Sequence, residues 1–418
     1  MAVAALALAG AAAFAAPDAD APATGLRTRP NECASTAPAA PFPAVGEDYK
    51  PRYRTIGHHL LDEERDAGDV TPAMYALLDS LIDEGLAALP PLSQDSTPSQ
   101  SRAIALEAMR AVDCLLLRHG FVYPGHGAVQ LLSDGLEPIT FADPDDLGEL
   151  RGQSHNVRRR RFIEARGQGP FHVVDCDVAA YLYLAIAEVM GYPIHLVEIP
   201  QHNFIRWEIG AGEFVDFETM DGAESSDAYY VASWQIDIRY VGRGGLLRSM
   251  DLEQTLAYHD VTVAIARSWR GDIPRMIDAY RRSIARDDTH ALALNDLAWF
   301  YAAAQQREWR DGAEALRYAL RAAALTGDGD KLDTLACAYA QNGQFDKAIE
   351  TEQSAIEAGY TPFNSDLEGD LALFRGAPPR SCTDKGFGKD PAPFRPGAAR
   401  PASLRPPDRS SVGASSHR

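Results

Sequence analysis

The sequence has little cysteine and a deficit of positive charge. Its five cysteines, at positions 33, 114, 176, 337 and 382 of 418, are scattered, odd in number and without a Cys-x-x-Cys pair. This pattern excludes a disulfide-built scaffold and gives no zinc signature, so we expect neither metal nor cofactor. The 40 basic residues against 59 acidic ones leave a formal charge of −19, which argues against general affinity for nucleic acid or anionic membranes.

Long apolar runs are also scarce. The segment Met1–Ala16 is rich in Ala and Leu and ends in Ala13-Phe14-Ala15, which fits a signal-peptidase cleavage site. We therefore predict a signal peptide over residues 1–16 and an exported, periplasmic or secreted protein. Because no basic residue precedes Arg27, a simple alanine tract stays the alternative. No other stretch is long and apolar enough for stable membrane insertion.

The length and the 46% hydrophobic content predict two folded domains with flexible ends. Residues 17–47 are rich in Pro, Ala and Thr and predict a flexible linker. The first domain is expected over 48–250, beginning with helices, and a helical array over 251–360. Residues 376–418 predict a disordered tail.

The chain is organised around residues 171–222. Cys176 stands where a helix should begin, because Asp175 is a good N-cap and the apolar run that follows ends at Gly191. A thiol at a helix N-terminus faces unpaired N–H groups and the positive end of the dipole. Both favour the thiolate, which is the nucleophilic form.

A β-hairpin is predicted after that helix. His202 opens its first strand, and alternation places Asp216 and Glu218 on one face of the return strand. The hairpin can therefore hold an imidazole beside a carboxylate. If it packs on the N-terminal end of the helix, that pair faces Cys176. Residues 233–240 predict one more strand after the hairpin.

Cys at a helix start, His about two dozen residues later and an acid on the next strand resemble the transglutaminase-like superfamily, which is related to papain. The resemblance covers about residues 100–250. It implies that Cys176 is the nucleophile, His202 the general base, and Asp216 or Glu218 the residue that orients the imidazole. Glu218, which is followed by Thr219, fits the register of the superfamily slightly better.

The array after residue 251 carries an internal repeat. Gly271 and Ile277 recur as Gly343 and Ile349, 72 positions later, which is twice a 36-residue period. The pattern resembles tetratricopeptide repeats in three helix pairs, and such arrays bind partners in a groove. These features together predict an α+β fold, in which a papain/transglutaminase-like core, with a buried Cys-bearing helix on an antiparallel sheet, precedes a helical array.

Three functions fit these patterns. The first is an acyl transferase or hydrolase that forms a Cys176 thioester at an amide of a protein or peptide, with a protein partner in the groove of the array. The second is a non-catalytic interaction scaffold with the same folds. The third is a metal-dependent hydrolase that uses Cys176, His202 and Asp216.

Among the remaining candidates, His172 is expected to line the thiol pocket and Cys114 to lie in the core. The Arg158–Arg161 run is expected to lie on a surface loop that covers the cleft.

Overall fold

The computed structural model describes residues 33, 35–92, 98–123, 130–140, 157–210, 212–234, 236–358 and 367–382. The predicted signal peptide, most of the predicted linker and the tail from residue 383 lie outside these ranges. The described part is a mixture of helices and small sheets, consistent with an α+β fold. No helix in these ranges combines the length and the apolarity needed to cross a membrane.

The first unit begins with helices that surround the later Cys-bearing helix. Thr71 precedes Pro72 and occupies the N-cap of the second helix, in agreement with the preference for Pro at the first helical position. Short helices and a two-stranded parallel sheet follow. The elements are α1 (Ile56–Glu64), α2 (Pro72–Ala88), α3 (Pro98–Arg118), β1 (Phe121–Val122), α4 (Leu132–Leu136), α5 (Val157–Arg166) and β2 (His172–Val173).

Helix α6 (Cys176–Met190) lies at the centre of the first unit and is buried along most of its length. It packs against a four-stranded antiparallel sheet in the order β3 (Ile194–Ile199), β4 (His202–Gly210), β5 (Glu213–Glu218) and β6 (Ala223–Ser225). Ile205, Trp207 and Phe217 face α6 and share its apolar core. Phe204 lies in a separate cluster with Tyr230. The sheet therefore separates two apolar layers.

Two expectations about local structure are wrong. The run 233–240, expected as a strand, contains the end of helix α7 (Asp227–Ser233) and a 3-10 turn at Ile238–Tyr240. The arginine run lies in helix α5 rather than in a loop. Arg160 and Arg161 are exposed, as expected of a surface run, whereas Arg159 is 7% exposed. Its Nη2 donates to the carbonyl of Thr219 at 2.7 Å, so this cation anchors the turn after β5 instead of covering a surface.

In the described residues after position 251, the second unit contains three successive helix pairs and a final helix. Ala298, Ala319 and Ala336 are fully buried, so that neighbouring helices approach closely. A 3-10 turn at Arg307–Trp309 accounts for the longer middle repeat. The helices are α8 (Leu252–Trp269), α9 (Ile273–Arg286), α10 (Ala291–Ala303), α11 (Gly312–Leu325), α12 (Gly329–Gln341), α13 (Phe345–Ala358) and α14 (Leu367–Arg375).

Four of the five cysteines form disulfides. Cys33 pairs with Cys114 and Cys337 pairs with Cys382, with Cα atoms 5.7 and 5.6 Å apart. The expectation that Cys114 is only a core residue is wrong. The partners stand 81 and 45 residues apart, and pairings at such separations are fixed by the tertiary fold rather than by spacing. Cys176 is the free cysteine that remains.

Candidate functional site

Cys176 is the first residue of α6 and is partly exposed. The Asp175 side chain caps the helix by accepting from the backbone N–H of Val178 at 2.9 Å. Its other oxygen accepts from the backbone N–H of Gln130 at 3.0 Å. This buried cap fixes the first turn of the helix and therefore the position of the thiol.

His202 and Glu218 meet across the hairpin. The Nε2 atom of His202 lies 2.7 Å from Oε2 of Glu218, and this oxygen also accepts from the hydroxyl of Tyr230 at 3.1 Å. The other carboxylate oxygen accepts from the backbone N–H of Met220 at 3.1 Å. The His202 ring stacks on Trp234, with centroids 5.5 Å apart. Glu218 therefore holds the edge of the imidazole, and Trp234 packs against its face.

Asp216 is engaged elsewhere, although it lies on the same face of β5. Its Oδ1 accepts from Nε of Arg206 at 2.7 Å, and Arg206 also pairs with Asp227. Burial raises the pKa of Asp216 to about 7, even with the guanidinium beside it. The structure therefore places Glu218, and not Asp216, at His202.

Cys176 and His202 lie near each other, but no hydrogen bond joins the thiol to the imidazole. Among the described residues, the hydrogen-bond partner of the Cys176 sulfur is Oδ1 of Asp177 at 3.8 Å. Alternation along β4 turns the Asn203 side chain toward α6 and puts His202 with Phe204 on the other face. The backbone of Asn203, the residue after His202, nevertheless favours the thiolate and lowers the pKa of the thiol.

The expectation of a thiolate at rest is wrong for this arrangement. Burial is the largest cause that raises the pKa of Cys176 well above its ordinary value of 9.0, followed by the negative charges of Asp177, Asp175 and Glu218. These carboxylates outweigh the helix N-terminus because they lie in the same poorly hydrated pocket.

His202 and Glu218 shift each other in opposite directions. Burial disfavours the imidazolium, but the Glu218 carboxylate and its hydrogen bond outweigh burial and raise the pKa of His202 above 6.5. Burial by itself would raise the pKa of Glu218. The imidazole of His202 and the hydrogen bonds from Met220 and Tyr230 outweigh burial and lower that pKa below 4.5. The pair is therefore most stable as an ion pair.

Asp177 collects donors from two units of the protein. Its Oδ1 accepts from the side-chain amide of Asn203 and from the hydroxyl of Tyr258 at 3.0 Å, while Thr262 lies 3.5 Å from its Oδ2. Sequence reasoning missed these residues. The signal for Asp177 was only its place next to Cys176, and the two α8 residues carried no signal because their proximity is purely tertiary.

The other candidates do not join this site. The buried His172 ring stacks on Phe121, at 4.5 Å between centroids, and burial lowers its pKa to about 3. Cys176, His202 and Asp216 do not converge on one point. Within the described ranges, groups of three close ligand side chains occur only in the helical array, and one of them includes the disulfide of Cys337 and Cys382.

Comparison of the chain with protein-family profiles, with curated proteins and with solved structures finds no match.

Proposed function

We propose that this chain is a transglutaminase-like cysteine enzyme that catalyses acyl transfer or hydrolysis at an amide of a protein or peptide. One observation carries the proposal. The free cysteine begins α6 beside the first residues of β4, where His202 is hydrogen-bonded to Glu218. Nucleophile, base and orienting acid are the three roles that such a reaction needs.

In the proposed reaction, which starts from the neutral imidazole present above the pKa of His202, the sulfur of Cys176 attacks a carboxamide carbon while His202 takes the thiol proton. Nδ1 is the ring nitrogen that serves, because Nε2 is bonded to Glu218. The resulting C–S bond gives a tetrahedral oxyanion. The backbone N–H of Cys176 is the proposed oxyanion donor, since N–H groups in the first turn lack intrahelical acceptors.

The oxyanion then collapses and the C–N bond breaks. Ammonia or an amine departs with the proton that His202 had taken, and a thioester remains on Cys176. Water or a second amine attacks the thioester, gives its proton to His202, and releases the acid or the new amide. The thiolate that leaves recovers that proton, which restores the site.

The disulfides and the helical array support the surrounding parts of the proposal. Two disulfides support an exported protein, because such bonds persist in oxidising compartments. Three helix pairs over residues 252–358 support a tetratricopeptide-like array that holds a protein partner.

A non-catalytic scaffold is the second candidate, and two observations favour it. His202 does not hydrogen-bond the thiol, and the pKa of Cys176 is raised. Against this, hydrogen bonds at catalytic sites are often long before substrate binds and shorten in the complex.

The test uses the protein without reductant, so that Cys176 is the reactive thiol. A library of glutamine-bearing peptides is incubated with a fluorescent primary amine, and ammonia release and amine incorporation are both followed. We expect a hydroxylamine-sensitive acyl adduct on Cys176, which Cys176→Ala abolishes and His202→Gln slows. If no peptide acylates Cys176, and its alkylation rate follows the pH dependence of a free thiol, the scaffold is the better interpretation.

A further inference from the structure

Helix α8 of the helical array contributes directly to the surroundings of the thiol. The hydroxyl of Tyr258 donates to Oδ1 of Asp177 at 3.0 Å, and this same oxygen lies 3.8 Å from the Cys176 sulfur. Asn203 donates to that oxygen and to the Tyr258 hydroxyl, the latter at 3.3 Å. One carboxylate oxygen therefore links the array, the strand β4 and the nucleophile.

Ion pairs at the centre of α8 connect this helix to α9 and, through Arg286 of α9, to the first unit. Asp260 of α8 accepts from Arg282 at 2.6 Å and from Arg286 at 2.9 Å, and both arginines belong to α9. Arg286 also pairs with Glu63 of α1 in the first unit. Tyr258 is therefore held in place from the array side as well as from the site side.

We propose that Tyr258 is a positioning residue for the reaction: it holds the Asp177 carboxylate in place beside the thiol, so that the helical array sets how readily Cys176 reacts. This inference rests on the proposed cysteine chemistry and names a control of the same site. Tyr258 acts through Asp177 and does not touch the acyl group in the proposed reaction.

The direction in which Tyr258 shifts the pKa of the Cys176 thiol follows from the charge of Asp177. Asp177 is the nearest acidic group to the sulfur, and its negative charge opposes the thiolate. The hydrogen bond that Tyr258 donates stabilises the negative charge of Asp177 and so weakens the repulsion between that charge and the thiolate. The same hydrogen bond lowers the pKa of Asp177, which burial raises. At a pH where Asp177 is ionised, loss of the donor therefore raises the pKa of the thiol, and loss of the charge lowers it. The other titratable groups that face the thiol or Asp177 are Asp175, Glu218, His202, Tyr123, Tyr181 and His259, and the Asp177 charge also raises the pKa of Asp175.

The experiment measures the iodoacetamide alkylation rate of Cys176 from pH 6 to 10 in the full chain without reductant. Tyr258→Phe should move the alkylation profile to higher pH and slow alkylation at pH 8 about three- to tenfold, less than the full worth of a hydrogen bond to a carboxylate. Asp177→Asn should move the profile to lower pH and speed alkylation at pH 7. Opposite shifts from two members of one network are not expected of a merely structural role.

The matched control is Tyr280→Phe. Tyr280 lies on α9, is fully buried, and donates to Asp296 at 3.3 Å, so it loses a comparable hydrogen bond away from the thiol. Its profile should equal that of the wild type. A Tyr258→Phe profile that also equals the wild type, in a protein of unchanged thermal stability, overturns this inference alone. A wild-type profile identical to that of a free thiol, with no acylation by any peptide, overturns the proposed function instead.

Discussion

The sharpest prediction compares the two carboxylates of β5. In Glu218→Gln the charge that faces Nε2 of His202 is lost, whereas the single amide oxygen can still accept from one of the two other donors, Tyr230 or Met220, which bond to different oxygens of the carboxylate. Burial then acts on the imidazolium against only the weaker effects of Asp177 and Asp221, so the pKa of His202 falls below its wild-type value. Asp216→Asn is the matched control, because Asp216 pairs with Arg206 and not with the imidazole.

The magnitude follows from the bond that is removed. A hydrogen bond between charged groups is worth about 1.5–3 kcal/mol, and about 1.4 kcal/mol corresponds to a tenfold change in rate. If that bond orients His202, acylation of Cys176 should slow roughly 10- to 150-fold in Glu218→Gln. Asp216→Asn should leave the rate of the folded protein within about threefold, although breaking a buried ion pair costs about 3–5 kcal/mol of stability.

The pH dependence gives an independent check. His202 stabilises the fold through its raised pKa, so its contribution is complete below the pKa of the unfolded chain and is lost as the pH rises through the folded pKa. Glu218 has a lowered pKa, so its contribution is present above about 4.5 and is lost in acid as the pH falls through the folded pKa. Glu218→Gln should therefore lower the melting temperature most near pH 5–6 and less at pH 9.

The assays are a histidine titration by NMR, with His202→Gln to assign the resonance, together with acylation rates and thermal melts. If the His202 titration midpoint stays unchanged in Glu218→Gln, or falls in Asp216→Asn instead, the assignment of Glu218 as the orienting acid is refuted.

Three further predictions concern the thiol, a disulfide and a helix cap. Mass spectrometry after alkylation without reductant should find one modified cysteine in the native protein, and none in Cys176→Ala; two or more labels would contradict the disulfide pairing. Replacing both Cys337 and Cys382 by Ala should cost about 2–5 kcal/mol, seen as a lower melting temperature, and an unchanged value would mean that the bond does not constrain the chain. Asp251→Ala should cost about 0.5–2 kcal/mol in denaturant melts because it removes the N-cap of α8; Asp251→Asn, which keeps an acceptor, should cost less.

Much of the local structure could be predicted because it depends on neighbours in the chain. Asp175 caps α6 and Gly191 ends it in a left-handed conformation, both as their positions in the sequence indicate. The hairpin from His202 to Glu218 likewise follows from alternation and a glycine turn. The run 233–240 was mispredicted, because an isolated β-rich segment has no partner strand to pair with.

The electrostatics of the thiol could not be predicted in the same way. A helix N-terminus is visible in the sequence, and it favours the thiolate. The buried carboxylate of Asp177 opposes it, and the weight of that charge depends on burial and on donors from Asn203 and Tyr258. Tyr258 is 81 residues away from Asp177 in the sequence, so no local pattern predicts their hydrogen bond.

The sequence alone determined where the Cys-bearing helix begins and ends, that a hairpin follows it, and that Cys176, His202 and two acids stand on neighbouring elements. Those features depend on backbone propensity and periodicity, which act over a few residues. The tertiary structure decided which acid meets His202, which cysteines are paired, and that the helical array reaches the thiol. These are contacts between distant segments, and they follow only from how the whole core packs.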